Sequence, residues 1–268
     1  MSILNEIVEY KKAFVEDSKL KLPFEKLKEI VVDKLSQGLL TNRLDLSSNQ
    51  GKNKLKLISE IKYRSPSRDI IRSNFDPVKL ALEFQKNGAW AISVLTDEKY
   101  FGGSKEIFQS VRDTVNLPLL RKDFIVDLYQ LWESKLMGAD IVLLIVSCLG
   151  QDLQQFLKQA LDLNLKVLIE VHTLEELNLS LEILKNNFEG RFDQIMLGVN
   201  NRNLSTFELT LDTSISLKKL IPAGIFTVSE SGIFTTQDLE LIQENSFDAV
   251  LIGEGLAKNP DLINFFKS

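Results

Sequence analysis

Apolar positions recur at helical spacing in the first fifty residues and then change rhythm. Ile3, Ile7, Tyr10 and Phe14 fall on one helical face, and Phe24, Leu27, Ile30, Val31 and Leu35 repeat the pattern after Pro23. Two amphipathic helices are expected, closed by the polar turn from Ser47 to Asn53. Residues 1–50 read as an N-terminal helical extension packed on a main body, and residues 51–268 as that body. From Leu55 onward, short apolar runs alternate with amphipathic stretches. Strands are expected at Leu55–Ile61, Ala91–Leu95, Leu119–Lys122, Ile141–Ile145, Lys166–Glu170, Gln194–Val199, Ile225–Ser229 and Ala249–Gly253. Helical stretches such as Pro77–Asn87, Asp127–Met137, Leu153–Leu161, Leu174–Leu184, Thr213–Leu220 and Thr236–Glu244 lie between them. A recurrence of roughly 25–30 residues is the length of a βα unit, and near-continuous apolar strands suit a parallel sheet covered by helices. No glycine-rich fingerprint follows the first strand, as a doubly wound dinucleotide fold would want. The expected fold is α/β, a (β/α)8 TIM barrel with an N-terminal helical extension.

The polar residues that interrupt this pattern collect where strands stop. The first strand ends at Glu60 and Lys62, the third at Lys122 and Asp123, the fifth at Glu170, the sixth at Asn200 with Arg202 beyond, and the seventh at Glu230 and Ser231. Along a strand, alternate side chains share a face, so Ile58, Glu60 and Lys62 point one way. In a β/α barrel these C-terminal ends rim one cavity, and charges inside the strand register are costly unless paired or used. Ser231-Gly232 and Gly253-Glu254-Gly255 place small residues where strands seven and eight turn into helices, a common phosphate site in such barrels. A small phosphorylated molecule is the expected ligand.

Composition narrows the choice of partner. The 268 residues are 44% hydrophobic and 26% charged with a net charge of −5, an ordinary globular balance that disfavours nucleic acid as a main partner. The longest purely apolar run, Ile141–Val146, is far short of the ~18 residues of a membrane span, and the charged N-terminus does not read as a signal peptide. One cysteine, Cys148, excludes an intramolecular disulfide, and one histidine, His172, makes a zinc site of the usual ligands improbable. A cytoplasmic monomer is expected, with no membrane association. His172, just after Glu170, reads as a loop or helix-cap residue rather than a catalytic one.

The motifs at these strand ends, taken in order, resemble those of the indole-3-glycerol phosphate synthase family, the lyases of tryptophan biosynthesis. They are Glu60-Ile-Lys62-Tyr-Arg-Ser65-Pro66-Ser67, Leu95-Thr-Asp-Glu-Lys-Tyr-Phe101-Gly-Gly-Ser104 and Leu120-Arg-Lys122-Asp123-Phe124. Leu168-Ile-Glu170-Val-His172, Gly198-Val-Asn200-Asn201-Arg202, Ser229-Glu230-Ser231-Gly232 and Leu251-Ile-Gly253-Glu254 complete the set. The resemblance implies a carboxy-lyase that converts 1-(2-carboxyphenylamino)-1-deoxy-D-ribulose 5-phosphate to indole-3-glycerol phosphate, carbon dioxide and water, with no cofactor or metal. It implies Lys122 as general acid, held near other cations, Glu170 as general base, and Lys62 as a second lysine that contacts substrate. It further implies Glu60, Asn200, Glu230 and Ser231 as parts of the catalytic network, with Ser65, Pro66, Phe101, Phe124, Leu143 and Arg202 binding substrate. Ser231, Gly232, Gly253 and Glu254 would form the phosphate end. Two departures from the family pattern are Arg68-Asp69, where Lys-Gly is common, and Asn203, where Asp is common; the latter removes a carboxylate beside Arg202. The alternatives are a sugar-phosphate isomerase on the same barrel, which would want Cys and Asp at strand ends whereas Cys148 follows strand four, and a barrel that only binds a phosphorylated ligand.

Overall fold

The computed structural model describes residues 3–46, 54–65, 70–71, 74–203 and 208–267. Eight parallel strands close into a barrel in sequence order. They are β1 (Lys56–Ile61), β2 (Ala91–Leu95), β3 (Leu119–Lys122), β4 (Ile141–Ile145), β5 (Lys166–Val171), β6 (Ile195–Asn200), β7 (Phe226–Glu230) and β8 (Ala249–Ile252). Every expected strand is present within one residue at either end. The helices are α1 (Ile3–Lys21), α2 (Phe24–Ser36), α3 (Pro77–Lys86), α4 (Glu98–Phe101), α5 (Lys105–Arg112), α6 (Leu128–Leu136) and α7 (Val146–Leu149). They continue with α8 (Leu153–Asp162), α9 (Leu174–Asn187), α10 (Asp212–Lys218), α11 (Thr236–Glu244) and α12 (Glu254–Lys258). The short α4, α7 and α12 and the helix α5 were not expected from periodicity. Three of them hold only one turn, and α5 is a short helix of eight residues whose buried face carries only Phe108, Val111 and Arg112.

Local chemistry starts these helices where the strands leave off. Asp76, Asp97, Ser104, Asp127, Thr173 and Thr235 each accept a hydrogen bond from a backbone N–H of the first turn, satisfying a donor that has no partner within the helix. Strand alternation then divides the core in two. One face of each strand packs outward on the helices, and the other fills the barrel with Ile58, Ala91, Leu120, Ile141, Leu143, Leu168, Met196, Phe226, Val228, Ala249 and Leu251. Leu44 and Leu46, from the segment that leads into β1, join this inner cluster. Asn42 and Arg43 tie the same segment to Asp140 at the start of β4.

The two N-terminal helices are bound to the barrel by buried polar contacts as well as by apolar ones. Leu27 and Val31 of α2 are fully buried, and Phe24 meets Tyr129 of α6 edge-on at 5.7 Å. The Tyr129 hydroxyl donates to the carbonyls of Ser18 and Leu22, which fixes the α1–α2 corner. Lys11 of α1 is 1% exposed, with Nζ 2.8 Å from both Asp97 Oδ2 and Asp123 Oδ1. Among the described residues, no helix is long and apolar enough to cross a membrane.

Candidate active site

The inward register at the C-terminal end of the barrel brings the charged residues together. Lys122 stands between carboxylates: Nζ is 3.0 Å from Glu170 Oε2 and 3.5 Å from Glu230 Oε2. Lys62 Nζ lies 2.5 Å from Glu60 Oε1, at the end of β1. Glu60, Lys62, Lys122, Glu170, Asn200 and Glu230 line one cavity, with Ser65, Phe101, Phe124, Leu143, Arg202, Ser231, Gly232, Gly253 and Glu254. All the expected site residues thus meet at one mouth except Pro66, which lies outside the described residues, as do Ser67 and the Arg68-Asp69 departure.

Two glycines make this density of carboxylates possible. Gly198 on β6 and Gly253 at the end of β8 both face the barrel axis. A Cβ on Gly198 would strike Glu230 Oε1, and one on Gly253 would strike Glu60 Oε1. Each absent side chain is therefore the space its neighbour's carboxylate occupies. Gly198→Ala is expected to cost roughly 1–3 kcal/mol of stability, or to swing Glu230 out of the mouth with loss of turnover. Thermal melting and kcat measured on the same preparation check this; wild-type values of both would overturn it.

The apolar side of the cavity is set by Phe101 and Phe124, whose ring centroids lie 6.0 Å apart at 36°, and by Leu143 from the inner core. Opposite them, the turn after β7 is held open in an unusual backbone conformation. Ser231 has φ 65° and Gly232 φ 79°, so a non-glycine residue stands in the left-handed region beside a glycine that tolerates it. Asn201, which reading by motif passed over, explains how this is maintained. Its buried amide donates to Ser229 Oγ and to the carbonyls of Glu230 and Ser231 while its Oδ1 accepts from Ser214 N, stapling β6 to β7. Asn200 Oδ1 accepts from Arg202 N, and the Arg202 guanidinium reaches Glu254 Oε2 at 3.3 Å. Arg202 thus has a carboxylate partner although Asn203 stands where the family commonly has Asp. Glu254 is also paired with Lys258 at 2.8 Å, so its carboxylate is engaged with cations.

Electrostatics separates the two carboxylates nearest Lys122. Burial would raise Glu170, but Lys122 and His172 outweigh it and hold Glu170 well below the usual carboxylate range. Glu230 goes the other way, pushed up to about 8 by burial and by the Glu170 charge, and neither of its oxygens meets a donor in hydrogen-bond geometry among the described residues. The two carboxylates are shifted in opposite directions, the kind of separation that distinguishes base from acid. Lys122 overturns one expectation. Its neighbours are carboxylates rather than cations; burial alone would lower it, and Glu170, Glu230 and Glu60 together raise it.

The sequence reading also missed part of the wall. Ile3, Leu4 and Ile7 of α1 line the same cavity, as do Ile145 and Phe234. The apolar stripe of α1 was visible, but periodicity does not say what it packs against.

Comparison with known proteins agrees with these motifs. A family model described as indole-3-glycerol phosphate synthase matches residues 4–268. The chain belongs to the indole-3-glycerol phosphate synthase family. The indole-3-glycerol phosphate synthase of Chlorobium phaeovibrioides is 42% identical over 264 residues, covering 98% of this chain and 97% of that protein. The synthase of Dehalococcoides mccartyi strain CBDB1 is 42% identical over 97% of this chain and 96% of its own. That of Carboxydothermus hydrogenoformans is 39% identical, with 96% of each chain covered. A crystal structure of KGPDC from Streptococcus mutans aligns with a TM-score of 0.55 at 16% identity, over 80% of this chain and 95% of that one. At that identity the likeness is one of fold alone. Membership of the indole-3-glycerol phosphate synthase family makes the chain an enzyme, a carboxy-lyase.

Proposed function

We propose that the protein closes the indole ring of 1-(2-carboxyphenylamino)-1-deoxy-D-ribulose 5-phosphate, releasing carbon dioxide and water, with Lys122 as general acid and Glu170 as general base. The observation that carries the reading is the placement of an ammonium and an ionised carboxylate, 3.0 Å apart and from separate strands, beside an aromatic-lined slot. Ring closure joins an aromatic carbon to the ketone carbon, and charge builds on the ketone oxygen. Lys122 protonates that oxygen as it becomes an alkoxide. An alkoxide is more basic than any ammonium, so a lysine stabilised in its charged form can still deliver the proton. Loss of the ring carboxylate restores electrons to the ring. Departure of water then needs a proton donor for the hydroxyl and a base for the ring proton, roles that Lys62 and Glu170 would fill.

Phe101, Phe124 and Leu143 would bind the aromatic ring, and Ile3, Leu4 and Ile7 would exclude water from above it. Glu60 and Asn200 would orient the amine and hydroxyls, an entropic contribution to the rate. Backbone N–H groups at Ser231, Gly232, Gly253 and Glu254 would hold the phosphate, and Arg202 would exchange part of its contact with Glu254 for substrate. The helices of residues 1–50 belong to the same functional unit in this reading.

Incubation with the substrate and detection of indole fluorescence tests the whole reading; no signal from folded protein would overturn it. Glu170→Gln keeps shape and hydrogen bonding but removes the base. It is expected to lower kcat about 100-fold with little change in KM, measured by the same assay.

A further inference from the structure

The mechanism leaves one buried titratable group beside Glu170 unused. His172, the sole histidine of the chain, lies two residues past Glu170, so the alternation of β5 returns its side chain to the same side. It lies in a loop, one of the two positions expected for it, with Thr173 rather than His172 as the cap of α9, and its backbone N–H donates to Glu176 Oε2 at 2.6 Å. Its ring does something that expectation did not include. Nδ1 is 3.1 Å from Glu176 Oε2, and Nε2 is 3.3 Å from Glu170 Oε1, an ion-pair separation outside hydrogen-bond geometry, with the side chain 7% exposed. The ring does not line the substrate cavity, so any influence on the chemistry passes through Glu170.

Both ring nitrogens therefore face carboxylate oxygens. A neutral imidazole carries one N–H and one lone pair, and would turn that lone pair on a carboxylate; the imidazolium makes both contacts attractive. Glu176 is a fixed anchor, since its carboxylate sits in the first turn of α9, where the helix favours negative charge, and its own N–H donates to Thr173 Oγ1. The other groups facing this pair are few. Lys122 on β3 is a cation on the far oxygen of Glu170, and Glu230 on β7 is raised by burial and by the Glu170 charge. Cys148 on α7 is pushed up to about 12 by burial and by Glu170 and Glu176, so it carries no charge. Burial alone would depress the imidazole, but the neighbouring carboxylates of Glu170 and Glu176 outweigh it and push His172 up to about 9.

We propose that His172 is a positioning residue for Glu170: as an imidazolium anchored on Glu176, it fixes Glu170 Oε1 and keeps that carboxylate ionised for proton abstraction. The proposal rests on Glu170 being the base. Losing the imidazolium removes one of the two cations beside Glu170, so Glu170 then takes up its proton at higher pH.

The lone histidine allows a direct test on the full-length wild-type protein, because 15N-detected imidazole spectra contain one residue's signals. Both ring nitrogens should be protonated at pH 7.5, and Glu176→Gln should lower the titration midpoint. A single neutral tautomer at pH 7.5 would overturn the proposal without any variant having to fold. In kinetics, His172→Gln, which keeps a neutral donor, should lower kcat roughly 10- to 100-fold, as a misplaced base does, with KM nearly unchanged. It should also move the acidic limb of kcat/KM to higher pH, which a merely structural role would not do. Wild-type kcat with an unshifted limb in His172→Gln, alongside an inactive Glu170→Gln, sinks the positioning role alone. An active Glu170→Gln sinks the reading of Glu170 instead, whatever the charge state of His172.

Discussion

Lys122→Ala is expected to lower kcat by roughly 1,000-fold, about 4 kcal/mol of transition-state stabilisation, while the protein remains folded. The size follows from what is removed. Lys122 is the cation closest to Glu170 and Glu230, and in the proposed reaction it is the group that neutralises the ketone oxygen as the ring closes. Folding survives because each remaining ionised carboxylate keeps a cation of its own: Glu60 has Lys62 and Glu170 has His172. The variant should also change its response to pH, with a definite sign. Lys122 helps hold Glu170 below the usual carboxylate range, so its removal raises Glu170 and shifts the acidic limb of the residual activity upward. The same depression contributes stability that is present above the unfolded carboxylate value and lost as pH falls through the folded one. The variant therefore begins its acid unfolding at higher pH than the wild type. Single-turnover kinetics and circular dichroism across pH check both parts, and a near-normal turnover number would remove Lys122 from its role.

The barrel was legible because its rules are local. Apolar runs mark strands, capping residues mark helix starts, and the order of eight such units leaves few topologies. Glu60, Lys62, Lys122, Glu170, Asn200 and Glu230 were legible for the same reason, since each sits at a strand end and the fold sends all strand ends to one rim. The residues that were missed act through long-range contacts. Asn201 lies one position out of the inward register, and its importance comes from β7 and α10 groups 13 to 30 residues away. Gly198 looks like a strand glycine until the carboxylate that occupies its missing side chain is placed, and Gly253, expected only at the phosphate end, makes the same room for Glu60. His172 does lie in a loop, beside the Thr173 cap, yet a loop position does not reveal where a ring points. The neighbourhood of Lys122 was misjudged because strand order brings three glutamates, not three lysines, around it.

Lys11 is the case in which sequence pattern misleads most, and its replacement has the largest expected effect on stability. In sequence it is one half of a Lys-Lys pair on an amphipathic helix, and nothing in that pattern marks it as buried. In the fold it is a buried ion held by two carboxylates. Asp123 is shared further with Arg121, itself fully buried and 2.9 Å from Glu133, and with Thr96. Lys11→Met fills the space but leaves Asp97 and Asp123 without this cation, and breaking a buried pair from one side costs about 3–5 kcal/mol. In a chain of this size, that should lower the melting temperature by roughly 10 °C. The pH window follows from the shifts. Asp123 is held low because Lys11 and Arg121 outweigh its burial, so its share of stability exists above the unfolded carboxylate value and fades as pH falls through the depressed one. Lys11 is raised because Asp123 and Asp97 outweigh its burial, so its share is full below the unfolded lysine value and fades as pH climbs through the folded one. The deficit of the variant should accordingly be greatest around neutrality and shrink in acid, where the carboxylates of the variant protonate. Adding Asp123→Asn to Lys11→Met should recover part of the loss, because one of the unpaired charges is gone. A Lys11→Met melt within a degree of wild type at pH 7 would show that the clamp contributes nothing. Turnover should fall along with stability, because α1 brings Ile3, Leu4 and Ile7 to the cavity and Lys11 ties that helix to Asp123, the residue next to Lys122.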